Sequence, residues 1–296
     1  MNIIPLEKKY YSLAQAFLQT HEKYSVILSF KLFKTPEWIY LVTTKEKNIS
    51  YNDILGILSV NRTVLHCLPF AFHSKNSIYC HEFISTFSEF AKNRKIECIN
   101  GEAIGSQLII TALQVNKILP ATINNYDLME LDVKEFSELP LPELPKGHSI
   151  IRCKKTIPSE YKNQLLELQK QYEIEEVLPP SMEFSELACK IRLKNSLQNQ
   201  YVVSLRTDTN KLVAKAATNA IGTKYIQLGG IYTKKSHRRK GFSFILIYTI
   251  LKRILRVKKS AILFVKKSNI PAKNLYKSLR FKKIGDYIIS YFVYNN

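Results

Sequence analysis

The feature that most limits what this chain can fold into is a strand that must stop and become a long helix across one short basic turn. Ile226-Gln227-Leu228-Gly229-Gly230-Ile231-Tyr232-Thr233 has the β-branched and aromatic content of a strand. A polar, basic run follows, Lys234-Lys235-Ser236-His237-Arg238-Arg239-Lys240-Gly241. Phe242 to Arg256 then reads as a helix: it is apolar around most of its circumference, holds neither Gly nor Pro, and carries Lys252, Arg253 and Arg256 near its end, where cations suit the helix dipole.

A glycine turn just before a helix exposes backbone N–H groups that have no partner inside the helix, and the dipole adds partial positive charge there. The arrangement suits an anion, and Arg238, Arg239 and Lys240 reinforce it. A basic loop is also what a solvated face looks like, so the segments that follow matter. After the helix, Ala261-Ile262-Leu263-Phe264-Val265 reads as a buried strand. The stretch from Asn269 to Phe281 then places Ala272, Leu275 and Tyr276 at helical spacing.

Two motifs in this order resemble the GNAT superfamily of acyl-CoA-dependent N-acetyltransferases. The family's pyrophosphate loop runs Arg or Gln, two residues, Gly, one residue, Gly or Ala. Arg238-Arg239-Lys240-Gly241-Phe242-Ser243 meets it at Arg238 and Gly241 and departs from it at Ser243. The second motif is met by Asn269, Ala272, Leu275, Tyr276 and Phe281. The resemblance covers Ile150 to the C-terminus. It implies an α/β (α+β) domain with a mixed, largely antiparallel central sheet flanked by helices, the acyl-CoA N-acyltransferase fold. It further implies that Arg238 to Ser243, with Asn269 and Ala272, bind acetyl-CoA, and that a backbone N–H among Ile231, Tyr232 and Thr233 receives the thioester carbonyl. Tyr276 would protonate the departing thiolate, or, read without the family, serve as a core aromatic beside Ala272 and Leu279. The acceptor would be an amine, on a small molecule or a protein.

Charge separates the two halves. Residues 1–148 hold 15 Lys and Arg against 15 Asp and Glu, so the net +20 lies in residues 149–296, and no carboxylate side chain occurs between Asp208 and Asp286. Such a field attracts polyanions. A phosphate-rich ligand fits it; nucleic acid is the weaker reading, because no nucleic-acid-binding signature is present. The three prolines of Leu139-Pro-Leu-Pro-Glu-Leu-Pro145-Lys-Gly147 mark an extended linker. The expected division is therefore 1–138, a smaller N-terminal α/β domain compatible with a degenerate copy of the same fold, a linker at 139–148, and the acetyltransferase domain at 149–296.

The five cysteines, at 67, 80, 98, 153 and 189, lack short paired spacings, which points to a reduced cytoplasmic protein without a metal site. The N-terminus has no signal-peptide pattern, and the longest apolar run, Phe242 to Leu251, is too short to span a bilayer, so neither a membrane nor a metal is expected as a partner. In the first half, Leu6 to His21, Ser77 to Asn93 and Ile104 to Lys117 read as helices. Val26 to Phe33, Trp38 to Thr43, Ile54 to Val60, Thr63 to Leu68, Ile96 to Ile99 and Asp127 to Val133 read as strands. His66, His73 and His81 fall in no ligand spacing and read as structural. In the second half, Thr218 to Gly222 reads as a loop and Ser181 to Leu197 as a helix. Gln227 stands where family members often carry a basic Glu, so a general base would come from Glu173, Glu175, Glu176, Glu183 or Glu186, from His237, or from water. A missing base also suits a non-catalytic module that binds a CoA ester for regulation or scaffolding.

Overall fold

A computed structural model describes residues 1–69, 71, 78–136, 139, 140, 142–179 and 182–294. The chain forms two compact units. One comprises Met1–Met129, Phe264–Asn269 and Lys283–Asn296; the other comprises Glu130–Leu263 and Ile270–Lys282. This differs from the contiguous division expected at 139–148, because the first unit takes two segments from late in the chain.

The first unit is built from β1 (Asn2–Pro5), α1 (Tyr11–His21), α2 (Val26–Lys34), β2 (Ile39–Thr43), β3 (Ile54–Val60), β4 (Thr63–Cys67), α3 (Ile78–Ala91), β5 (Cys98–Glu102), α4 (Ala103–Val115) and the start of β6 (Thr122–Leu131). To these it adds β12 (Lys282–Tyr291), all but its first residue. Its strands run in the order β1-β2-β3-β4-β5-β12. The pairs are antiparallel except β4 with β5, where Thr63 faces Cys98. Side chains alternate across a strand, so consecutive residues reach opposite faces. Here both faces are covered. Leu41, Ile57 and Leu65 join Phe17, Leu18, Leu28 and Leu32 of α1 and α2. Val42, Leu58 and Val64 join Phe83, Phe87, Ile109 and Ile110 of α3 and α4, together with Ile288 of β12. Strands buried on both sides read as continuous apolar runs, which is how they appear in the sequence.

The second unit contains the end of β6, α5 (Val133–Phe136), β7 (Ser149–Cys153), α6 (Ser159–Tyr172), a π-helical turn at Glu173–Val177, α7 (Glu186–Asn199), β8 (Val202–Arg206), β9 (Leu212–Ile221), β10 (Tyr225–Thr233), α8 (Phe242–Arg256), the start of β11 (Ser260–Lys266) and α9 (Ile270–Ser278). Strand order is β11-β10-β9-β8-β7, with β10 and β11 parallel at Tyr225–Ser260 and the other pairs antiparallel. Leu165 and Leu168 of α6 and Leu193 and Leu197 of α7 pack on Cys153, Val202, Leu212, Ala217 and Tyr232. α8 buries Leu246, Ile247, Ile250, Leu251 and Ile254.

Several elements depart from the sequence reading. Val26–Lys34 is a helix rather than a strand: Val26, Ser29 and Leu32 recur at helical spacing on its buried face, and it ends just before Thr35-Pro36, where proline disfavours a further helical turn. Thr218 to Gly222 is not a loop up to Ile221. Ala220 pairs with Gln227 and Ile221 with Ile226, while Asn219 points outward between buried Thr218 and Ala220. α7 begins at Glu186, where the Ser185 hydroxyl accepts from the Ala188 N–H at 3.3 Å; Ser181 and His73 lie outside the described residues. Residues 142–145 of the proline-rich stretch have neither helix nor strand.

Because Ile288 of β12 sits in the core of the first unit with 7% exposure, Ile288→Ala should lower stability by about 2–4 kcal/mol through lost burial and an unfilled cavity. Urea unfolding would report the loss, and amide exchange across β5 should quicken with it.

Candidate functional site

The turn between β10 and α8 is held open by backbone conformation. Lys235–His237 forms one 3-10 turn, Arg239 and Gly241 adopt φ of 62° and 76°, and α8 starts at Phe242. Left-handed backbone suits Gly241 and is strained at Arg239. A Cβ placed on Gly241 would meet nothing within 4 Å, so the space in front of the turn is open. Phe242 is buried and anchors the helix start, while Arg239 and Lys240 are exposed. The Thr233 and Ser243 hydroxyls lie 2.8 Å apart, so Ser243 joins the first turn of α8 to the end of β10. That bond gives a physical role to the residue that departs from the family pattern. The His237 ring hydrogen-bonds Ser236 at 2.9 Å and lies 6.5 Å, centre to centre, from the Phe242 ring. Its pKa is lowered by burial and by the charges of Lys240 and Lys234.

Arg238, although exposed, is tied back to β10 and to Glu175. Its Nε donates to the Thr233 carbonyl at 3.0 Å and its NH2 group to Glu175 Oε2 at 2.7 Å, and Tyr232 donates its hydroxyl to Glu175 Oε1 at 2.6 Å. Burial opposes the Glu175 charge, yet Tyr232 and Arg238 overcome it and hold the carboxyl below its usual range. Burial and the Glu175 hydrogen bond push the Tyr232 phenol up to about 12. Arg238 thus braces the turn, while Arg239 and Lys240 are exposed beside Gly241.

β10 is irregular just before the turn. Its register with β9 passes from Gly229–Ala217 to Tyr232–Lys215, so Gly230 and Ile231 together face Ala216. Two residues opposite one make a β-bulge. Gly230, at φ 60°, takes a side-chain bond at its carbonyl, where Lys215 Nζ donates at 2.8 Å, and its N–H faces the Tyr172 phenol. Lys215 is only 3% exposed, and its Nζ lies 4.6 Å from the centre of the Tyr172 ring. Burial pulls its pKa down to about 7, partly countered by Glu173, Cys189 and Cys153. Tyr172 is pushed up to about 12 by burial, with Glu176 and Glu173 adding to the shift and the Gly230 N–H opposing it.

Tyr276 on α9 is buried and packs edge-on against Phe281, with ring centres 6.0 Å apart. Burial first, then Tyr172 and Glu176, raise its pKa, which keeps the hydroxyl protonated. Ala272 lies one turn earlier on the same helix. Asn269 belongs by compactness to the first unit, and its N–H closes a turn on the Lys266 carbonyl at 2.9 Å.

Of the acidic candidates for a base, Glu173 is buried against Arg192 and Gln169, Glu175 is bound as above, and exposed Glu186 pairs with Lys190. Glu183 is exposed. Glu176 is the one whose charge acts on both Tyr172 and Tyr276. Sequence reasoning missed Lys215 and Tyr172. Their signals were a lysine inside the apolar run Leu212 to Ala217 and a Gly-Gly pair inside a strand, a mark of close backbone approach. In the first unit, buried His66 bonds the Ser106 hydroxyl at 2.8 Å and His81 is exposed. Among the described residues no cluster of three or more His, Cys, Asp or Glu could hold a metal, and no helix is long and apolar enough to cross a membrane.

A bulged strand, a positive-φ glycine turn and a long helix, set in a mixed sheet, define the acyl-CoA N-acyltransferase fold. The comparisons agree. Residues 203–290 match the family model described as FR47-like protein. No curated protein matches the chain. Among solved structures, a tandem GNAT protein from the clavulanic acid biosynthesis pathway is 13% identical, with a TM-score of 0.59, covering 100% of this chain and 99% of its own. A Drosophila protein is 12% identical, with a TM-score of 0.68 and 98% of each chain covered. A GNAT-family acetyltransferase from Colwellia psychrerythraea is 12% identical, with a TM-score of 0.55, covering 99% of this chain and 100% of its own. In fold the chain is like these GNAT structures, and the likeness to the tandem protein runs through the N-terminal half as well as the C-terminal one.

The buried Glu173 carboxylate carries a pH test. Burial alone would raise its pKa, but Arg192 and Gln169 bring it below the ordinary value. A lowered folded pKa stabilises above the unfolded value of about 4.3 and is lost as pH falls through the folded value. Arg192→Met should therefore destabilise by about 1–3 kcal/mol at pH 7, a figure discounted because Arg192 is half exposed. Urea midpoints measured from pH 7 to pH 3 should show the gap between variant and parent closing as the carboxyl protonates.

Proposed function

We propose that the C-terminal half, 149–296, binds acetyl-CoA and transfers its acetyl group to a primary amine. The observation that carries this reading is the left-handed turn through Arg239 and Gly241, which leads into α8 with open space before it and exposed cations beside it. Pyrophosphate chemistry fits that cradle, since the first N–H groups of a helix lack intrahelical partners and the dipole favours anions.

Backbone N–H groups from Arg239 to Ser243 and the exposed Arg239 and Lys240 would hold the phosphates, while Arg238 keeps the turn in shape. Asn269 and Ala272 would contribute to the same ligand from the start of α9. Bound acetyl-CoA supplies an acetyl thioester whose C–S bond breaks as the new C–N bond forms. A backbone N–H among Ile231, Tyr232 and Thr233 donates to the carbonyl oxygen as it gains negative charge. Tyr276 gives its proton to the departing sulfur, a role suited to a phenol held protonated by burial. The amine proton would go to Glu176, whose charge acts on Tyr276, or to water. The five cysteines, all thiols rather than disulfides, suit a reduced cytoplasmic compartment.

Calorimetric titration with acetyl-CoA should show binding at sub-millimolar concentration; no binding would remove the reading. Gly241→Val should abolish it, because the new side chain enters the open space and resists the left-handed backbone. Tyr276→Phe should leave affinity nearly unchanged while turnover falls about 100-fold, the scale of losing one general acid. A variant as fast as the parent, in amine transfer or in slow acetyl-CoA hydrolysis, would return Tyr276 to a packing role. Binding without turnover over a broad amine panel would instead favour a regulatory or scaffolding CoA-ester module.

A further inference from the structure

The bulge poses a question of backbone accounting. A strand residue that leaves its ladder must satisfy its N–H and carbonyl elsewhere. At Gly230 the carbonyl goes to Lys215, and the N–H faces Tyr172. Lysine is among the residues least often buried unless paired, and here one is buried with its Nζ on a carbonyl that any small donor or water could satisfy. Its position is fixed from several sides: the Tyr172 ring lies 4.6 Å away, and Lys215 itself pairs in register with Tyr232. A Cβ on Gly230 would come within 3.2 Å of Nζ, so glycine is also what lets the ammonium approach.

The carbonyl of Gly230 and the N–H of Ile231 belong to one planar trans peptide, in which they point in opposite directions. A donor fixed on the carbonyl therefore fixes where the Ile231 N–H points, and hydrogen bonding at the carbonyl strengthens that N–H as a donor in turn. We propose that Lys215 is a positioning residue for acyl transfer, its Nζ locking the Gly230–Ile231 peptide so that the Ile231 N–H meets the thioester carbonyl. The inference rests on the acetyl-CoA reading above and selects Ile231 from the three candidate backbone donors. Burial leaves Lys215 near about 7, with Glu173 on the turn after α6, Cys189 on α7 and Cys153 on β7 facing it. Both protonation states keep an N–H for Gly230.

The test uses the full chain and acetyl-CoA carrying a ¹³C-labelled carbonyl. In the parent, the infrared carbonyl band of the bound thioester should lie at lower frequency than in free acetyl-CoA. Lys215→Met keeps most of the volume and removes the donor. It should bind acetyl-CoA within about threefold of the parent, because the phosphates dominate affinity, while the band moves back toward its free position. Acetyl-CoA hydrolysis should slow about tenfold or more, as expected when an oxyanion donor is weakened rather than deleted. Lys215→Arg, which retains a donor, should recover part of the band shift; a merely structural lysine would move stability and leave the band alone. Should the Met variant fail to fold, Lys215→Leu, which also lacks a donor, carries the same readout. An unchanged band in a variant that binds, or a parent band equal to that of free acetyl-CoA, overturns the inference. Failure of the parent to bind acetyl-CoA is a separate result and removes the acetyltransferase reading itself.

Discussion

The second unit depends on a strand that gives up its ladder for two residues without leaving a polar group bare. An unpaired backbone group buried away from water costs about 1–3 kcal/mol, so a bulge in a covered strand survives only where side chains take over its bonds. Lys215 of β9 does so at the Gly230 carbonyl, and Tyr172 at the end of α6 faces its N–H. The strand then regains its register at Tyr232, and the chain enters the turn with Thr233 already tied to Ser243. The left-handed Arg239 and Gly241 and the start of α8 all lie downstream of that local exchange.

Electrostatics follows the same pattern of support from a distance. The stretch from Thr209 to Gly285 has no carboxylate of its own, so its cations would repel one another unless countered from elsewhere. Glu175 supplies the counter-charge from the π-helical turn after α6, meeting Arg238 and Tyr232 at hydrogen-bond distance. Glu173, two residues earlier, turns the other way to Arg192. A single turn of chain thus faces two directions: one carboxylate braces the basic loop and its neighbour ties α6 to α7.

What the sequence made legible was local. A glycine after a basic run and before an apolar helix is a backbone signal within eight residues, and Tyr276 stands one turn from Ala272 on a short helix. What it hid was non-local. Val26–Lys34 has strand-like residues, and only the neighbours that bury Val26, Ser29 and Leu32 decide for helix. Thr218 to Ile221 is polar enough for a loop, but β10 supplies its hydrogen-bond partners. Lys215 reads as a solvated residue until the bulge on another strand gives it a carbonyl. Nothing in Lys282 to Tyr291 announces that it will pair with Cys98 to Glu102.

That last pairing has a consequence in time. The Tyr287 hydroxyl reaches Asn100 across 187 residues of chain, and β12 is the neighbour that takes β5 away from the edge of the first unit's sheet. During synthesis at roughly 5–20 residues per second, β5 waits about 10–40 s for its partner. For that interval the nascent unit presents an unpaired strand edge open to other chains. The half of the molecule made first is the half completed last, and ribosome-bound fragments should be its most aggregation-prone form.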